Sequence, residues 1–202
     1  MFGDAPTSII IVYPKDYYEI ASKLKHEISK EQNLDSTIWS TDQYRDNIPT
    51  LSGKSHVVFI GDENENEFAK PYYDSMNTLF LHKGGCYGFD GTKAIVFGLD
   101  NAALRELTHT RTKNYLSPGR QPLDFQKELS GLLVLQGEEK DSESANKISR
   151  FARGALAKAS HLSTLAEDRF KASALRKERS VIATELFLQY GLNAWVSGNT
   201  GS

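Results

Sequence analysis

Carboxylates and amides recur just beyond the apolar runs of this chain, where the loops of an α/β sheet collect ligand-binding groups. Tyr13, Lys15 and Asp16 follow the run at residues 8–12; Asp62, Asn64 and Asn66 follow 57–60; Asp100 and Asn101 follow 94–97. In an open α/β sheet, loops and helix N-termini converge on a crevice outside the strand carboxyl ends. These residues could bind ribose hydroxyls or a divalent cation there. They could also flank a scissile glycosidic bond, with a carboxylate drawn from Asp62, Glu65 and Glu67. The competing reading is that acids and amides after strands cap helices and turns. Their spacing matches no catalytic signature, and it names neither a catalytic residue nor a cofactor.

Other chemistry-bearing types are less suggestive. Gly84-Gly85-Cys86-Tyr87-Gly88 looks superficially like a phosphate loop, but the next element is a strand. A phosphate cradle needs a helix N-terminus there. A bulge or bend in a hairpin is the expected role. His26, His56, His82, His109 and His161 form no His-x-His, His-x-x-x-His or His-Glu-x-x-His spacing, so no metal site is expected. Cys86 is the lone cysteine, which excludes an intrachain disulfide and leaves burial as its default.

The second chemical feature is charge. Residues 1–146 carry 15 Lys/Arg against 22 Asp/Glu, whereas residues 147–179 carry 9 against 3. In an unbroken helix Lys147, Arg150, Lys158, His161, Arg169, Arg176 and Arg179 fall within about 100° of one another. Beside them runs the apolar stripe Ile148, Phe151, Ala152, Ala155, Leu156, Ala159 and Leu162. A basic amphipathic helix suits an acidic partner, a phosphate backbone or the acidic body of its own chain. Only Phe151 and Phe170 are aromatic here, too few for base stacking, so a protein partner or internal use is favoured over nucleic acid.

The elements that must position these groups follow from pattern. Residues 8–13 form a continuous β-branched run, suited to a strand covered on both faces. Tyr17, Ile20, Ala21, Leu24 and Ile28 repeat at helical spacing over residues 15–31, with Asn33 at the end. Residues 36–39 and 57–60 read as further strands, and the order makes a βαβ unit. A helix is expected from Pro71, burying Tyr72, Tyr73 and Met76. Strands at 79–81 and 94–97 flank the hairpin turn Phe89-Asp90-Gly91-Thr92. Then come a helix over 101–115 capped by Asp100, a loop over 117–122, and a helix followed by a strand at 132–135. Residues 137–144 read as a linker, and 145–190 as two helices ending at Gly191.

The expected architecture is α/β: a mixed, mainly parallel sheet flanked by helices, with a hairpin near 79–98 and a helical C-terminal segment. Residues 1–144 form the body and 145–196 an arm packed on that body or on a second subunit. The N-terminus lacks a basic, apolar leader pattern, and no apolar run approaches the ~20 residues of a bilayer span, so a cytoplasmic protein is expected. The favoured function is binding and assembly, with the arm mediating protein association or self-association. A nucleotide-glycosidase-like hydrolase and a nucleic-acid-associated protein are the alternatives, and a small polar ligand at residues 13–16, 62–67 and 100–101 remains compatible with the first.

Overall fold

The computed structural model describes residues 8–110, 112–135 and 157–198. Eight strands form one mixed, mostly parallel sheet: β1 (Ser8–Tyr13), β2 (Asp35–Ser40), β3 (His56–Ile60), β4 (Thr78–His82), β5 (Gly85–Asp90), β6 (Lys93–Gly98), β7 (Asn114–Ser117) and β8 (Gln121–Pro122). Their spatial order is β2-β1-β3-β6-β5-β4-β7-β8. β2, β1, β3 and β6 pair in parallel; β5 runs antiparallel between β6 and β4; β7 is parallel to β4 and antiparallel to β8.

Strict alternation sends neighbouring side chains to opposite faces. Ile9, Ile11, Val58, Ile60, Ala94 and Val96 belong to one core, with Ala21, Leu24 and Ile28 of α1 (Tyr18–Gln32). Val12, Val57, Phe59, Ile95 and Phe97 belong to the other. That second face is covered by α2 (Thr41–Asn47), α3 (Lys70–Ser75), α4 (Asn101–His109) and α5 (Phe125–Leu135). The first face is completed by the chain's end: α6 (Ala157–Leu186), a π-helical turn (Phe187–Gly191) and α7 (Leu192–Val196). Ala183, Leu186, Phe187, Leu192 and Trp195 are buried in that core.

Several local expectations need correction. The helix expected over 101–115 stops at His109, and Tyr115 instead pairs with Leu79 in β7, its ring buried against Phe125. Residues 132–135 are the last turn of α5, not a strand, with Leu132 buried on the second core. Gly191 lies within the π turn in helical conformation rather than ending a helix, because a Cβ there would stand 2.8 Å from the Tyr87 ring. α2 went unanticipated; Ser40 and Gln43 form a reciprocal capping box at its start. The linker expected at 137–144 lies outside the described residues.

The glycines of β5 and β6 are where α6 sits. Gly85 and Gly98 are register partners, and both present bare backbone to the helix. A Cβ on Gly98 would stand 2.7 Å from Ser180 N, and one on Gly85 2.7 Å from Ala183 N. Glycine within a strand marks such close backbone approach. Lys83 and Gly84, both at positive φ, form the two-residue turn between β4 and β5. Gly98→Ala should therefore cost on the order of 1–3 kcal/mol by overpacking. Gly53→Ala, with no neighbour within 4 Å, should be near neutral; thermal denaturation of the pair measures the difference.

Candidate functional site at the strand carboxyl ends

The chain leaves β1 toward β2 and returns through β3 on the other side, so the crevice between β1 and β3 is the topological switch point. Asn66 fills its floor. Its side chain is fully buried, donating to Ile60 O at 2.9 Å and Val12 O at 3.4 Å and accepting from Phe68 N at 3.1 Å. It thus ties the two strand ends together. Asp62 supports the turn above, its Oδ1 accepting from Asn64 N and Glu65 N at 2.9 and 2.8 Å. Asn64 is exposed and supplies only its backbone N–H to that turn.

The turn points Glu65 inward. Tyr17, the residue before α1, donates its hydroxyl to Glu65 Oε2. Arg176 of α6 approaches the same carboxylate, Nε to Oε2 at 3.6 Å, while its Nη1 donates to Asp100 Oδ2 at 2.8 Å. The other Asp100 oxygen, Oδ1, caps α4 by accepting from Ala103 N at 2.8 Å. Burial, with the nearby Asp62 charge adding to it, raises the Glu65 carboxyl above the usual range, against the hydrogen bond from Tyr17 and the Arg176 charge. The Tyr17 phenol is pushed up chiefly by burial, and by its hydrogen bond to Glu65.

One turn along α6, Arg179 lies buried at 2% exposure. It donates to Leu99 O at 2.7 Å and to Asn101 Oδ1 at 2.8 Å, and its stem lies over Gly84. The carboxyl edge of the sheet is thus closed by the chain's own helix. Ser180 adds a third tie, accepting from Gly98 N at 3.0 Å while donating to Arg176 O.

Of the sequence-selected residues, Asp62, Asn66, Asp100 and Asn101 meet at this edge, each with a structural partner. Tyr13 stacks edge-on against Tyr18 at 5.7 Å. Lys15 is exposed, and Asp16, at φ +72°, lines an adjacent cleft with Tyr18 and Lys177. Arg169 is exposed, and Arg176 is turned inward to Glu65 and Asp100. Lys147 and Arg150 lie outside the described residues; Lys158 belongs to α6, and its side chain lies outside them. Tyr17, Arg179 and Ser180 were not anticipated as a group. The available signal was the i, i+3 and i, i+4 spacing of Arg176, Arg179 and Ser180 on one helical face. Among the described residues, no three His, Cys, Asp or Glu side chains group closely enough to hold a metal ion, and no helix is long and apolar enough to cross a membrane.

Comparison with family models, with curated proteins and with solved structures returned no match.

Two outcomes follow from this geometry. Arg179→Met should cost about 1–3 kcal/mol, because the buried Leu99 carbonyl loses a donor; denaturant titration measures it. Glu65 has a folded-state pKa above its unfolded value, so its ionisation disfavours the folded state as pH rises beyond 4.5. Glu65→Gln keeps an acceptor for Tyr17 and removes that charge. Its stability relative to the parent should improve from acid toward neutral pH, and a flat difference across that range would contradict the assignment.

Proposed function

We propose that this chain is an α/β binding protein that assembles with a second copy of itself through the exposed stretch of α6 at residues 168–171. The observation that carries this reading is at residues 168–171, where four consecutive helical positions are all exposed, Phe170 by 77%. Four successive positions sample nearly the whole circumference of a helix. At this level the helix has therefore left the body, although its other end is built into the core through Ala183 and Leu186. A large exposed aromatic on a rigidly anchored helix is the kind of group that anchors protein interfaces.

The arrangement at the strand ends supports the same choice. A small ligand at the switch point would have to displace Arg176 and Arg179, which already hold Glu65, Asp100, Asn101 and the Leu99 carbonyl. The glycosidase-like reading keeps one observation in its favour: Glu65 is a largely buried carboxyl with a raised pKa at the topological switch. Its fellow candidates have other roles. Asp62 holds a turn, and Glu67 is an exposed partner of Arg45. Nucleic-acid binding loses Arg176 from its set of phosphate contacts, since that guanidinium faces carboxylates.

Sedimentation velocity on the full chain tests the assembly reading. The parent should associate with rising concentration, and Phe170→Asp should weaken that association at least tenfold with an unchanged melting temperature. A parent that stays monomeric to about 0.1 mM, well above the dissociation constants of specific interfaces, or a variant that associates like the parent, would overturn it.

A further inference from the structure

Along the seam where α1 and α6 lie side by side, two clefts open on the first face of the molecule. The first, of about 610 Å³, has Ile20 and Val181 in its lining and Asp16, Glu19 and Glu178 around it, with Lys177 the one base. The second, of about 480 Å³, lies toward the far ends of both helices. It combines Leu188 with Glu27, Glu31 and Glu185, against Lys23 alone. Both lysines have partners already: Lys23 is 3.5 Å from Glu185, and Lys177 lies over the Tyr17 ring. The seam is therefore an apolar-floored groove with unbalanced negative rims, and Tyr18 stands 57% exposed at its mouth.

Elsewhere in the same chain is its complement. Residues 147–171 carry six basic residues against two acidic ones, with Ile148, Phe151, Ala155, Ala159 and Leu162 at helical spacing. A basic segment with such a stripe is what an acidic groove with an apolar floor accepts. Residues 157–171 do not lie on the seam of their own copy. α6 supplies one wall of the seam through Lys177–Glu185 and continues away from it at about 1.5 Å per residue, so Arg169 already lies about 12 Å beyond that wall's start.

We infer that the α1–α6 seam of one copy receives the basic arm of a second copy, residues 147–171. Done reciprocally, this gives a closed twofold dimer, each arm lying on the other's seam. The inference rests on the assembly reading above and names its docking surface.

A charge exchange tests it. Glu31 and Glu178 are exposed, one in each cleft, and have no part in the Arg176 contacts. Glu31→Lys/Glu178→Lys cancels the net charge of −4 on the seam, and Lys158→Glu/Arg169→Glu cancels the net charge of +4 on the arm. Sedimentation should show each double variant associating at least tenfold more weakly than the parent. An equimolar mixture should associate more tightly than either variant alone, because the mixed dimer keeps one junction of parental seam on parental arm. Association of the parent should also fall as salt is raised from about 0.05 to 0.5 M, where screening shortens from over 10 Å to under 5 Å. If the seam variant associates like the parent while Phe170→Asp does not, the arm binds elsewhere and the seam assignment fails on its own. If the mixture associates no more tightly than either variant although both melt like the parent, it fails as well. A parent that is monomeric throughout overturns both readings.

Discussion

The closest approach between α6 and the sheet is the constraint on which the rest of the structure depends. A helix packed on a sheet normally stands off by the thickness of two side-chain layers. Here the Gly85–Gly98 pair removes one of them, and the Ser180 and Ala183 backbones descend onto β5 and β6. That descent brings the Arg176 and Arg179 stems level with the strand ends, within reach of Asp100, Asn101 and the Leu99 carbonyl. Ala183 and Ser180 are themselves small, so neither partner in the contact can grow without lifting the helix.

The electrostatic arrangement follows from this position. Arg179 is buried and bonded to neutral acceptors, while Arg176 sits farther out between two carboxylates. Glu65, Asp100 and Arg176 share charge across three separate segments, held by Tyr17 from a fourth. A buried charge of this kind is tolerated only when its partners are fixed, because a lone one would face the full desolvation cost. The acidic body and the basic C-terminal segment are therefore partly neutralised within the molecule. Residues 147–171 still carry six basic residues against two acidic ones.

Much of the sheet was legible in the sequence because its signals are local. β-Branched runs stop at turn residues, the Asp90-Gly91 corner marks a hairpin, and Asn33 takes the left-handed conformation that ends α1. The errors arose where distant packing decides. Tyr115 continues a helical pattern but is captured by β4, and residues 132–135 keep the helix because Leu132 reaches the second core. At the site, position was readable and role was not. Asp62, Asn66 and Asp100 do sit at the strand ends, yet each is occupied by a backbone or by Arg176. Nothing near Gly85 or Gly98 in the chain signals that a helix eighty residues later lies on them.

The Trp195 indole nitrogen donates to Gly91 O at 3.0 Å, and its ring shares a core with Ile9, Val58 and Val96. During vectorial synthesis, that core cannot close until Trp195 has left the ribosome. About a hundred residues separate Val96 from Trp195, which at ribosomal speeds is roughly 5–20 s. Until α6 follows, that face of the β-branched strands has only α1 to cover it. A chain cut before Trp195 would leave the Gly91 carbonyl without its indole donor and open one corner of that core.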